Sequence, residues 1–143
     1  MSNAERLAGA MATVFTGDET TVDEALIERM IAALAPIADA QVTTVMAGPD
    51  ESFSTTHEGV DGIREAWADW LDSFAEVRFE IEGIEEVGEN VLTLGRQIGK
   101  SRQAGVEIEQ PSAAVWKFRD GKLRRVEFHL DRDRAYESLR EPA

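Results

Sequence analysis

Few side chains in this sequence have both the type and the setting to do chemistry. Arg96 is the first. It shares strand parity with Leu92, Leu94 and Ile98, so alternation along a strand turns it toward an apolar face. A guanidinium there needs a partner, because an unpaired buried charge is costly. Three partners are open: Asp50, Glu80 or the carboxylate of a ligand. A purely structural ion pair is the competing reading, and a bulge would carry Arg96 to the surface. Asp50 follows Pro49 in a turn. At the mouth of a pocket its carboxylate would serve as a general base, although Asp also favours turns for its own hydrogen bonding. Arg96 and Asp50 are therefore the candidate catalytic pair.

His57 and His129 are the only histidines, and either type of side chain titrates near neutrality. His129 stands between Phe128 and Leu130, so parity sends it to the face opposite theirs. It would then meet a second subunit, or the pocket if the last strand bulges. Two histidines without close spacing do not make a metal site, and no metal is assigned. Trp67, Trp70, Phe74, Trp116 and Phe128 supply aromatic walls, with ordinary core packing the alternative for Trp67 and Phe74. Trp116 shares parity with Ala114 and Phe118, and its indole N–H requires a partner when buried.

These residues need elements to position them. Leu7, Met11, Val14 and Phe15 follow the spacing of one helix face, and Gly17 suits the helix end. Thr21 with Glu24 reads as a capping box ahead of a second apolar stripe, Leu26 to Leu34, closed by Pro36. Gln41 to Ala47 reads as a strand, Gly48-Pro49-Asp50 as a turn and Phe53 to Thr56 as a short strand. A third helix is predicted from about Asp61 to Phe74. The period then changes to two. Strands are expected around Val77–Glu82, Leu92–Ile98, Val106–Phe118 and Leu123–Leu130. Pro111 implies an edge or a bulge, and Asp120-Gly121 implies a tight hairpin. Asp131 or Asp133 would cap a last helix. Helices followed by an antiparallel meander give an α+β fold with helices on one face of a curved sheet.

The chain has 143 residues, enough for one domain over 1–143. Ser2-Asn3-Ala4 has the look of a tag remnant and carries no argument. Fifteen Lys and Arg against 28 Asp and Glu leave a formal net charge of −13, which excludes nucleic acid and anionic membrane as partners. There is no cysteine, no spanning apolar run and no charged-then-apolar leader, so a cytoplasmic protein is expected. Charge is segregated along the chain. Residues 1–95 hold 4 basic and 20 acidic side chains, and residues 96–143 hold 11 and 8. Mutual neutralisation explains this, and a basic strip for an anionic ligand is the alternative.

Glu58-Gly59, Ile63-Arg64-Glu65-Ala66-Trp67, Val115 to Leu123 and Asp131-Arg132 with Ala135 together resemble the nuclear-transport-factor-2-like superfamily, and within it the SnoaL-like proteins. The resemblance covers roughly Leu7 to Leu139. It implies a cone-shaped curved sheet wrapped around N-terminal helices, an apolar pocket between them, and a homodimer. It also implies a choice of chemistries. In ketosteroid isomerases the base Asp falls at the position of Asp50, but the oxyanion-hole donors fall at Ala10 and Ala114, which cannot donate. Steroid isomerisation is therefore rejected. SnoaL-type cyclases place polar residues on the last strand, where Val126, Phe128 and Leu130 stand here.

The sequence thus leads to a small, mostly apolar ligand in the cone. Trp70, Phe74, Ala114, Trp116, Val126, Phe128 and His129 are expected to touch it. Asp50 and Arg96 would act by acid–base chemistry without a cofactor. A non-catalytic binding or dimerisation module is the alternative.

Overall fold

The computed structural model describes residues 1–15, 19–47 and 54–143. Gly17-Asp18, the Gly48-Pro49-Asp50 turn and Phe53 lie outside the described residues. Helix α1 (Asn3–Ala12) starts at the segment set aside as a tag. Ser2 caps it, accepting from Glu5 N while Glu5 accepts from Ser2 N, which closes a capping box. The expected box at Thr21 is not formed. Thr21 belongs to the two-residue strand β1 (Thr20–Thr21), and Asp23 caps α2 (Glu24–Leu34) through a 2.8 Å bond from Leu26 N. Pro36 sits in a short 3₁₀ turn, Ala35–Ile37, just beyond α2. Strands β2 (Ala38–Met46) and β3 (Thr55–Glu58) follow. Helix α3 (Gly59–Leu71) stops earlier than expected, because Phe74 already begins β4 (Phe74–Val87). Strands β5 (Asn90–Ser101), β6 (Glu107–Arg119) and β7 (Lys122–His129) precede α4 (Arg132–Leu139), which Asp131 caps. Asp120 and Gly121 have φ of 53° and 77°, the paired positive values of a tight hairpin turn between β6 and β7.

The sheet has seven strands in the order β1-β4-β5-β6-β7-β2-β3. Neighbours run antiparallel except β2 and β7, which are parallel. Its concave face meets α1, α2 and α3 in a core that includes Leu7, Met30, Leu34, Val77, Trp116 and Phe118. Pro111 pairs with Arg96 without any register shift, so β6 has no bulge there. Because β7 reaches only as far as Ala113, Pro111 occupies a stretch of β6 that is locally an edge, where its missing N–H does no harm.

The outer face of the sheet is also buried in part. Leu92, Ala113 and Val115 form a second apolar cluster with Ala135 and Leu139 of α4, and Leu94 packs against it. The apolar stripe Leu92-Leu94 therefore belongs under α4. The concave face of β5 carries Val91, Thr93, Gly95 and Gln97 instead. This reverses the direction expected for Arg96: it does share a face with Leu92 and Leu94, but that face is the outer one.

Candidate functional site

The concave face encloses an apolar cavity of about 110 Å³. Trp67 and Trp70 of α3 wall one side, and Phe79, Ala114 and Phe128 of the sheet wall the other. Met46, Ala47 and Leu130 also line it, together with Gln97, Ser112, Ala113 and His129. The aromatic rings stand edge to face. Trp67 lies 5.3 Å from Trp70 and 4.9 Å from Phe128, at 74° and 87°. Each ring buttresses its neighbour, which fixes the walls. A second, smaller cavity of about 20 Å³ shares Trp67, Phe79, Ala114 and Phe128 with the first and is also lined by Trp116, Thr93 and Met30.

Local structure explains why space remains. Gly95 and Gly99 lie on the concave face of β5, under aromatic rings from β4. A methyl group on Gly95 would meet Glu80 O at 2.6 Å and the Phe79 ring at 3.0 Å. On Gly99 it would meet the Phe74 ring at 2.5 Å. The missing side chains let the Phe74 and Phe79 rings approach β5 closely.

The polar groups of the cavity are few. Trp116 Nε1 donates to Thr93 Oγ1 at 2.9 Å, a satisfied and buried pair. Trp67 Nε1 and Ser112 Oγ are buried and have no hydrogen-bond partner among the described residues. Gln97 is 5% exposed. Gln97, Ser112 and Met46 were not singled out from the sequence. Ser112 shares parity with Ala114 and Trp116, and Gln97 shares it with Thr93, so their positions were available once the concave face of β5 was known.

The remaining expected site residues separate. Ala114, Trp70 and Phe128 line the cavity. Trp116 lines the smaller cavity and not the larger one. Phe74 packs against Trp70 with ring centroids 5.2 Å apart and planes tilted at 60°, and does not line the cavity. Val126 is fully buried in the core and does not line the cavity. Asp50 lies outside the described residues. Arg96 is not in the cavity. On the outer face it meets Glu80 at 2.6 Å, Glu109 at 2.5 Å and Glu19 at 3.4 Å. Its hydrogen bonds to the Glu109 and Glu80 carboxylates raise its pKa further above the usual guanidinium value.

His129 touches the cavity rim, but its Nε2 lies 3.0 Å from Glu127 Oε1. Glu127 sits in register beside Val115 on the outer face. It also accepts from Ser138 Oγ at 2.6 Å and Arg125 Nε at 2.6 Å, with Lys117 Nζ at 3.9 Å. Burial pushes the Glu127 carboxyl up, but the bonds from His129, Ser138 and Arg125 and the Lys117 charge outweigh it and hold the pKa at about 2. An ionised carboxylate only accepts, so His129 carries its proton on Nε2. Among the described residues no group of three or more acidic or histidine side chains is placed to hold a metal ion.

A family model described as a SnoaL-like domain matches residues 19–126. No curated protein matches. Solved structures do. An NTF2-like protein from Burkholderia thailandensis is similar at 17% identity and a TM-score of 0.70, covering 99% of each chain. A putative SnoaL-like polyketide cyclase from Jannaschia is similar at 13% identity and a TM-score of 0.65, covering 99% of this chain and 93% of its own. A protein with a ketosteroid isomerase-like fold from Catenulispora acidiphila, in complex with trimethylamine, is similar at 17% identity and a TM-score of 0.59, covering 90% of this chain and 86% of its own. At these identities the likeness is one of fold, and it agrees with the curled, unclosed sheet around its helices. With that fold in place and the family model running from β1 into β7, the chain belongs to the SnoaL-like domain family.

Proposed function

We propose that this protein binds one small, mostly apolar molecule in the cone cavity, without a cofactor. The observation that carries the reading is the lining, a rigid aromatic box with a few neutral polar atoms. An apolar cavity on the order of 150 Å³ holds a single benzene ring, so about 110 Å³ with a mouth beyond it suits one ring or a short branched chain. Binding is favoured over isomerase-, cyclase- or hydrolase-type chemistry because Arg96 is paired on the far face of the sheet. Among the described residues that line the cavity, His129 is the one with a titratable side chain, and its Nε2 is committed to Glu127.

The reading includes a homodimer in a cytoplasmic setting. Val106 and Ile108, 55% and 52% exposed, offer apolar surface for a second copy, and the absence of cysteine suits a reducing compartment. Among the described residues no helix is long and apolar enough to cross a membrane.

A thermal-shift screen of small ring compounds tests the binding function. Hits should raise the Tm of the protein and fail to raise that of Ala114→Leu, whose added carbons fill the cavity beside Phe128. Hits that stabilise both proteins equally would place binding elsewhere and end the proposal.

A further inference from the structure

We infer that α4 is a strap latched by carboxylates, which acid releases from the outer face of the sheet while the helices inside the cone stay docked. The device belongs to the outer face, so it stands or falls independently of any ligand in the cavity.

The hold on α4 is mostly polar. Ala135 and Leu139 are its buried residues, packed against Leu92, Ala113 and Val115. Helix α2, by contrast, buries Leu26, Ile27, Met30, Ile31 and Leu34, and apolar burial does not titrate. The rest of the attachment of α4 passes largely through carboxylates. Tyr136 Oη donates to Glu85 at 2.5 Å, Arg132 to Glu82 at 3.1 Å, and Ser138 Oγ to Glu127 at 2.6 Å. Asp131 caps the helix, accepting from Asp133 N and Arg134 N. The bonds that acid leaves alone are to backbone carbonyls. Arg132 donates to Gly95 O at 2.9 Å, and Asn90 Nδ2 donates to Leu139 O and Glu141 O.

The charges around the strap decide the direction. Strand β4 brings Glu82 and Glu85 to it, and Glu89 in the following turn borders its C-terminal end. Strand β5 brings Leu92 and Leu94, with Arg96 beyond them on the same face. Strand β6 brings Lys117, and β7 brings Arg125, Glu127 and His129. The helix itself carries Arg132, Asp133, Arg134 and Glu137, and Arg140 and Glu141 follow. With the carboxyls ionised, acid and base alternate across the contact. Once they are neutral they accept more weakly, and the charges left are cationic on both sides. Arg132, Arg134 and Arg140 then oppose Lys117, Arg125 and His129. The Glu127 carboxyl is held at about 2 against an ordinary 4.5. A depressed carboxyl stabilises the docked state fully above pH 4.5 and ceases to as pH falls toward 2. An element with so little apolar burial opens locally before the core does. Its release bares Leu92, Ala113 and Val115.

Hydrogen exchange read by mass spectrometry tests this on the whole chain. Residues 132–139 are compared with Glu24–Leu34 from about pH 6 to about pH 2, after correction for intrinsic rates. Protection of α4 should fall about 10-fold or more within the Glu127 window while that of α2 holds. Ser138→Ala frees α4 from Glu127 and leaves Arg125 and His129 on that carboxylate. In this variant α4 should lose protection roughly half a pH unit higher, with α2 unchanged. Parallel loss in both helices overturns the strap. So does full protection of α4 down to the lowest pH, or a Ser138→Ala profile in which α4 does not move ahead of α2.

Discussion

Arg96 and Glu127 show how much one side chain's surroundings decide. Both are charged residues in strands, and only Arg96 drew notice in the sequence. Its parity with Leu92 and Leu94 was legible. The direction of that shared face was not, because α4 supplies a second apolar cover on the outside of the sheet and removes the usual contrast between wet and dry faces. Arg96→Met should therefore leave the affinity of any cavity ligand unchanged in titration, and a large loss of affinity would return Arg96 to the site. Glu127 is the more consequential charge. Its carboxyl is held at about 2 against an ordinary 4.5. A depressed carboxyl contributes stability that is fully present above pH 4.5 and is lost as pH falls toward 2. Over that window denaturation should show a loss of about 3 kcal/mol from this group. Glu127→Gln should flatten that part of the pH profile. At neutral pH it should cost about 3 kcal/mol, because Arg125 and Lys117 lose their buried partner.

The elements were the most legible level. Alternation found β4 and the later strands, and Asp120-Gly121 found the β6–β7 hairpin. The errors lay at boundaries, where tertiary pairing overrode local signals. Thr21 joined a ladder with β4 in place of capping α2, and Phe74 left the helix for β4. The candidate site was half readable at this level. Ala114 and Phe128 follow from strand period, whereas Gln97 required knowledge of which face β5 turns inward. Glycine positions in β5 are a specific test of how β4 and β5 fit. Gly95→Ala drives a methyl into a backbone carbonyl at 2.6 Å, which cannot rotate away. It should cost about 1–3 kcal/mol in chemical denaturation. Gly99→Ala meets the rim of the Phe74 ring, a side chain able to give, and should cost less. The reverse order would mean that the Phe74 ring is the more rigidly held neighbour.

Across the molecule the charge segregation of the sequence becomes local neutralisation. Arg96 reaches Glu80 and Glu19, Arg132 reaches Glu82 at 3.1 Å, and Arg124 reaches Asp39 at 3.4 Å. Each pair joins the basic final third to the acidic first part, so the late strands do not form a basic strip. That outcome was the favoured reading of the sequence, but its geometry needed the adjacency of β4 and β5. The homodimer is tested at this scale. Light scattering on a gel-filtration column should give twice the 15.8 kDa chain mass at micromolar concentration, and a single-chain mass would remove the dimer.

The parallel seam between β2 and β7 bears on how the chain is made. Thr44 and Val126 lie side by side in it, although they are far apart in the chain. As the polypeptide leaves the ribosome, α1, α2, β2 and α3 emerge long before β7 exists to close on them. Their apolar faces must wait, so the nascent chain spends most of its synthesis unable to complete its core. Such distant pairing slows folding, and the interval before β7 arrives is when the polypeptide would depend most on chaperones.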